Sequence, residues 1–243
     1  ALTEEVVVIG TRTQGRSALD SPAPVDVIGG ETMSNQGDTD MSNLLRNVIP
    51  SYNVNDQPIS DAATLVRPAN LRGLAPDHTL MLVNGKRRHR ASVITWLGNG
   101  ISNGSQGPDA AAIPGAALKR IEVLRDGASA QYGSDAIAGV MNFVLNDSAE
   151  GGSLEVRYGE YKEGDGEQVT IAGNIGLPLG DNGFLNLTAE WGESDPTSRS
   201  EQRADAQTLI DNGYQDVPAP AMIWGRPIVN DDMKLWANFG MDL

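Results

Sequence analysis

Hydrophobic and polar positions fall into two patterns that meet near residue 150. Before it, short apolar runs are cut by Gly, Pro and Asn/Asp turns. Pro24-Val25-Asp26-Val27-Ile28 predicts a short strand closed by Gly29-Gly30. Met41, Leu44, Leu45 and Val48 form a helical stripe, with Asp38 or Thr39 as its cap and Pro50 as its stop. Leu65-Val66-Arg67 and Thr79-Leu80-Met81-Leu82-Val83 read as strands. The second runs into Asn84-Gly85, a strong hairpin signal. A helical turn is expected at Ala116–Leu118 after Pro114, then a strand over Arg120–Leu124 whose charged and apolar residues alternate. Arg125-Asp126-Gly127 turns the chain. Ala128–Tyr132 predicts a small helix and Gly139–Leu145 another strand. The expected result is a small mixed sheet with short helices, an α+β unit.

After residue 150 the alternation is cleaner. Leu154, Val156 and Tyr158 share one face against Ser153, Glu155 and Arg157. Val169, Ile171, Ile175 and Leu177 alternate with Thr170, Ala172, Asn174 and Gly176. Leu185, Leu187, Ala189 and Trp191 alternate with Asn186, Thr188 and Glu190, and Leu235, Ala237, Phe239 and Met241 with Trp236, Asn238 and Gly240. A soluble β-sandwich and a membrane barrel both produce this period. The connections favour the barrel: Pro178–Gly183 is a tight turn, whereas Ser194–Asp231 is long and polar. The short Lys162–Gly166 loop departs mildly from that habit.

Composition narrows the picture. The 243 residues carry a net charge of -14, which disfavours general nucleic-acid binding. No cysteine is present, so disulfides, thiolate catalysis and thiolate metal sites are excluded. His78 and His89 stand in different local contexts, and neither a metal site nor a cofactor is expected. No run reaches the roughly 20 apolar residues of a membrane helix. Ala1-Leu2-Thr3-Glu4-Glu5 lacks the basic start and apolar core of a signal peptide, so the expectation is a chain that begins after processing or is not exported. Asp231-Asp232 has no neighbour to separate its proton affinities, and Ser129 has no nucleophile-elbow context, so an enzyme is not expected.

Three segments invite binding roles. Glu5-Val6-Val7-Val8-Ile9 is either an ordinary first strand or an extended peptide that adds to a partner's sheet edge. Lys86-Arg87-Arg88-His89-Arg90 is a basic cluster, in which Arg87, Arg88, His89 and Arg90 hint at an anionic ligand. Ser92–Gly107 is rich in Gly, Asn and Ser around Trp96, and lacks the Gly-Lys-Ser/Thr ending of a phosphate loop.

The first half resembles the plug of TonB-dependent outer-membrane receptors, in an ordered series of motifs. Glu5–Ile9 looks like a TonB box, and Ser21-Pro22-Ala23-Pro24-Val25-Asp26-Val27-Ile28 like the first plug strand. Leu44-Leu45-Arg46-Asn47-Val48-Ile49-Pro50, Asn70-Leu71-Arg72-Gly73-Leu74 and Leu80–Gly85 follow in family order. The densest likeness runs from Ile113-Pro114 to Leu145, through Arg120-Ile121-Glu122-Val123-Leu124-Arg125, Ser129-Ala130-Gln131-Tyr132-Gly133 and Ala136–Asn142. Arg125-Asp126-Gly127 departs from the family's usual Arg-Gly-Pro.

The resemblance implies a flexible segment over 1–20, a plug over 21–150 and about four strands of an incomplete barrel over 151–243. It implies residence in the outer membrane of a Gram-negative bacterium and uptake of a scarce nutrient, a ferric siderophore or similar, with energy relayed by TonB. The implied partners are the TonB C-terminal domain at Glu5, Val6, Val7, Val8 and Ile9, outer-membrane lipid, and a small-molecule cargo. Cargo is expected at plug loops carrying Gln57, Arg88, Arg90, Trp96, Asn99 and Asn103, while Arg72, Glu122 and Arg125 are expected in plug–barrel or intra-plug ion pairs. A soluble periplasmic plug-like module is the alternative. Four strands cannot close a barrel, for which about eight suffice. The chain is therefore expected to be a truncated gene product, an excised piece or the ordered part of a longer protein. Made alone, it is expected to self-associate through open sheet edges.

Overall fold

A computed structural model describes residues 6–7, 9, 16–17, 25–36, 38, 40–54, 64, 66–67, 69–96, 100–125, 128–197, 199–221 and 225–241. Strand β1 (Val6–Val7) pairs antiparallel with β2 (Arg16–Ser17). The central sheet follows, built from β3 (Val25–Gly29), β6 (Thr79–Val83), β7 (Lys86–Arg87), β8 (Leu118–Leu124) and β9 (Gly139–Leu145). Its spatial order is β3-β8-β9-β6-β7, and only the β6/β9 pair is parallel. A side ladder joins β4 (Tyr52–Val54) to β5 (Ala69–Leu71). Helices α1 (Gly30–Ser34) and α2 (Met41–Val48), with α3 (Ala128–Tyr132), complete the unit.

The main core collects Leu44 and Leu45 of α2 with Ile121, Val123, Met141 and Phe143 of the sheet. β9 is buried at every position, because it is central and covered on both faces. Its entry needs glycine: Gly139 has φ +145, and a Cβ there would lie 2.6 Å from the Leu124 carbonyl oxygen and 2.9 Å from Leu71. Asn84 (φ 48) and Gly85 (φ 74) make the left-handed turn their dipeptide predicts, joining β6 to β7.

Two local expectations are corrected. The α2 cap is Asp40, whose side chain accepts from the Asn43 N–H at 3.1 Å, rather than Asp38 or Thr39. Asp38 instead accepts from the Asp40 N–H at 2.9 Å and braces the cap. Leu65 lies outside the described residues, and Val66 and Arg67 do not form the expected strand. Val66 lies in a bend and Arg67 turns its guanidinium onto Asp40, so the ladder starts at Ala69, beyond Pro68 with its missing N–H donor. Helix α1 and a later helix, α4 (Ala204–Asp211), were not anticipated.

From Gly152 the chain forms an antiparallel meander of β10 (Gly152–Gly159), β11 (Gln168–Pro178), β12 (Gly183–Ser194) and β13 (Val229–Met241). The registers bring like faces together: Val156 faces Ile171, Ile175 faces Leu187, and Leu185 faces Phe239. The apolar face is bare, with Leu154 78% and Leu235 77% exposed. The opposite face, with Asn186, Thr188 and Glu190 buried, lies against the α+β unit. No second sheet covers the apolar face among the described residues, which is not the arrangement of a sandwich. Among them, too, no helix is long and apolar enough to cross a membrane.

Candidate functional site

The polar face of the sheet holds the α+β unit through directional bonds. From β10, Arg157 donates to the carbonyls of Asp38 at 2.8 Å and Ser34 at 3.3 Å. From β13, Trp236 Nε1 donates to the Ala112 carbonyl at 3.0 Å, and the Arg88 guanidinium lies 5.5 Å from the Trp236 ring centre. Asn238 is bonded twice: its Oδ1 accepts from Asn84 Nδ2 at 3.1 Å, and its Nδ2 donates to the Asn146 carbonyl at 2.8 Å.

That contact continues into the core. Asn84 Oδ1 accepts from the Leu145 N–H at 2.9 Å, and the Gly85 N–H donates to Asn142 Oδ1 at 2.9 Å. Asn142 Nδ2 donates to Glu122 Oε2 at 3.1 Å, and Arg120 Nε reaches Glu122 Oε1 at 2.9 Å. Glu122 is 0% exposed, so its charge is held by these partners rather than by water.

A cavity of about 970 Å³ opens between the two parts, toward the strand ends that carry the longer connections. Asp40, Arg67 and Asp109 line it from the α+β unit. Thr170, Glu190, Lys234 and Trp236 line it from the strands, and Tyr161, Thr197, Arg199 and Arg226 from the connections between them.

Its cations are engaged. Arg67 is paired with Asp40, and Lys234 Nζ lies 2.7 Å from Glu190 and 3.3 Å from Asp232. Arg199 bonds Asp165 at 2.9 Å and Glu163 at 3.3 Å, and stacks 4.8 Å from the Tyr161 ring centre. Arg226 lies 5.9 Å from the same ring. Burial pushes the Asp40 carboxyl up, but the Arg67 charge and the hydrogen bonds from Arg67 and Asn43 outweigh it and leave it below 3.8. At Asp109 burial prevails over the Ala111 hydrogen bond and the nearby arginines, and the carboxyl sits above its ordinary value.

The residues singled out by sequence are dispersed. Glu5, Val8, Gln57 and Asn99 lie outside the described residues. Val6 and Val7 pair with Ser17 and Arg16, and Ile9 is 1% exposed in a second core with Leu80, Leu82 and Val140. Arg88 turns toward Trp236, with its Nε buried and without a hydrogen-bond partner. Arg87 pairs with Asp135, and Arg90 comes within 4.0 Å of both Asp77 and Asp135. Trp96 is 58% exposed and Asn103 is also exposed. Arg125 pairs with Asp26, and Arg72 donates to the Arg125 carbonyl, both within the α+β unit. Sequence reading missed Asp40, Arg67, Asp109, Glu190 and Lys234. They come from remote segments, and only Asp40 carried a local signal, its position at a helix start.

Comparison with known proteins gives the family. The profile described as TonB-dependent Receptor Plug Domain matches residues 17–140, half of the chain. The chain belongs to the TonB-dependent receptor plug family. This is a family of outer-membrane receptors of Gram-negative bacteria. The chain is 29% identical over 215 residues to the ferrienterobactin receptor of Escherichia coli, covering 85% of this chain and 26% of that protein. It is 32% identical over 141 residues to the ferric enterobactin receptor PirA of Pseudomonas aeruginosa (57% and 18%). It is 28% identical over 218 residues to the iron-regulated outer membrane virulence protein of Vibrio cholerae (88% and 30%). The chain thus spans about a quarter of the length of the curated relatives it matches. In fold it is similar to a mutant ferric enterobactin receptor from Pseudomonas aeruginosa solved with enterobactin, with a TM-score of 0.57, 24% identity, and 76% of this chain and 28% of that one covered. It is also similar to the siderophore receptor PirA from Acinetobacter baumannii, with a TM-score of 0.54, 24% identity, and 70% and 24% covered. The plug and the antiparallel hairpins after it are the shared architecture.

Proposed function

We propose that this chain is the plug and adjoining strands of an outer-membrane transporter that admits a ferric siderophore or similar scarce nutrient, using energy relayed by TonB. One observation carries the reading. A plug-family unit is bonded to the polar face of a meander whose other face is bare and apolar, as a lipid-facing wall requires. The relatives' names point the same way, since those proteins are receptors for iron-bearing siderophores. The chain acts as a transporter part and not as an enzyme.

On this reading residues 1–20 face TonB, 21–150 form the plug and 151–243 begin the barrel. Glu5–Ile9 contacts TonB through its backbone, and Ile9 tethers the segment to the plug until it is pulled. Gln57, Arg88, Arg90, Trp96, Asn99 and Asn103 lie on the loops past which cargo moves, and Arg72, Glu122 and Arg125 brace the plug from within. Uptake of radiolabelled iron as ferric siderophore, in cells with and without TonB, tests the function. Uptake that requires both the chain and TonB is expected. Uptake indifferent to either would refute it. The alternative, a soluble periplasmic module, is disfavoured by the bare apolar face.

A further inference from the structure

We propose that Asn84 is a spontaneous deamidation site, and that its conversion to aspartate unseats the plug from the strands. Asn84 turns β6 into β7 with a φ of 48, and its side chain also bridges the plug core to β13. Backbone groups at either end fix the orientation of that bridge. The Leu145 N–H can only donate, so the atom it meets at 2.9 Å is Asn84 Oδ1. The Asn146 carbonyl can only accept, so the atom it meets at 2.8 Å is Asn238 Nδ2. The contact left between the two side chains, at 3.1 Å, is Asn84 Nδ2 donating to Asn238 Oδ1. An aspartate at position 84 keeps the bond from Leu145 and loses that donor. Its second oxygen faces Asn238 Oδ1, and turning the Asn238 amide over only moves the mismatch to the Asn146 carbonyl. The turn itself survives, because Asp-Gly suits the same left-handed geometry. The loss falls on the seat.

The residue after Asn84 supplies the chemistry. The Gly85 nitrogen gives up its proton and attacks Asn84 Cγ. The Cγ–Nδ2 bond breaks, and ammonia leaves with that proton. The cyclic imide then takes up one water at either carbonyl and opens to aspartate or isoaspartate. Glycine has no side chain to hinder the approach, and neither oxidant nor cofactor is needed. In the seated plug the reacting groups are tied down. The Gly85 N–H donates to Asn142 Oδ1 at 2.9 Å, Asn84 Nδ2 is held by Asn238, and Asn84 Oδ1 by Leu145. The ring closes when the plug leaves the strands and the turn opens, and the product cannot rebuild the bond to Asn238. Deamidation at this position therefore makes unseating irreversible.

Peptide mass spectrometry of detergent-solubilised protein, aged at mildly alkaline pH, reads the first half. Asn182-Gly183, exposed in the turn between β11 and β12, is the control in the same sample. Asn84 is expected to convert about tenfold or more slowly in the folded protein than in urea, and Asn182 to differ by less than about threefold. In Asn238→Ala the Asn84 rate should rise about threefold or more, with Asn182 unchanged. Limited proteolysis reads the second half. Asn84→Asp should expose the plug to cleavage about fivefold faster than the parent. Adding Asn238→Lys, whose ammonium can donate both to the new carboxylate and to the Asn146 carbonyl, should recover most of that loss. Equal Asn84 rates in folded and unfolded protein, or cleavage of Asn84→Asp within about twofold of the parent, overturns the proposal. Neither readout involves cargo or TonB, so the transporter reading is tested apart from it.

Discussion

Glu122→Ala is expected to loosen the plug from within. Glu122 is fully buried on β8, and its carboxylate accepts from Arg120 Nε at 2.9 Å and Asn142 Nδ2 at 3.1 Å. Removing one partner of a buried pair costs about 3–5 kcal/mol. The Arg120 side chain keeps 14% exposure and can swing partly into water, so the lower end, about 3 kcal/mol, applies. Asn142 loses an acceptor for about 1 kcal/mol more. The total of about 4 kcal/mol is a large share of the 5–15 kcal/mol typical of a domain, yet it leaves the fold in place. Hydrogen exchange by mass spectrometry over β8 and β9 reads the change. Those amides should exchange about 10²- to 10³-fold faster. Glu122→Gln keeps the shape and a neutral acceptor and should show less than half the effect. Replacing Glu122 and Arg120 together by Leu should cost less than Glu122→Ala alone, because no charge is left unpaired. Exchange within about threefold of the parent in Glu122→Ala would refute this account of the buried pair.

Other outcomes follow from the same geometry. Asn238→Ala removes the two bonds from β13 to Asn84 and Asn146, and should weaken plug seating by about 1–2 kcal/mol, seen as faster proteolysis of the plug without loss of the strands. Gly139→Ala forces a Cβ against the Leu124 carbonyl at a φ of +145 and should destabilise the plug by about 2 kcal/mol or more in urea titrations. Asp40 has a carboxyl held below 3.8, so its contribution is present above that value and is lost as pH falls through the lower folded value. Arg67→Ala should shrink that acid-dependent loss, measured as urea midpoint against pH. Asp109 is shifted the other way: burial makes its charged form unfavourable, so Asp109→Asn should raise stability at neutral pH and have no effect in acid.

Much of the plug was legible because its signals are local. Asn84-Gly85 required positive φ at both positions and formed the predicted turn. The helix at Ala128–Tyr132 and the strands at Thr79–Val83 and Gly139–Leu145 appear with the predicted bounds. Errors arose where a long-range partner overrode local pattern. Arg67 left its apolar run to meet Asp40, which took the cap from Asp38 or Thr39. The period-2 runs after residue 150 determined which side chains share a face, since a strand's side chains alternate whatever it packs on.

The sequence by itself therefore determined most of the strands, the family and the two faces of the meander. Only the tertiary structure decided which face met the plug, that Arg87 and Arg90 of the basic cluster would meet Asp77 and Asp135, and that Asp40, Arg67, Asp109, Glu190 and Lys234 would surround one cavity. Periodicity is a property of neighbouring residues and survives in the bare sequence. Charge pairing between residues as far apart in the chain as Asp26 and Arg125 depends on how the chain closes, and no local pattern records it.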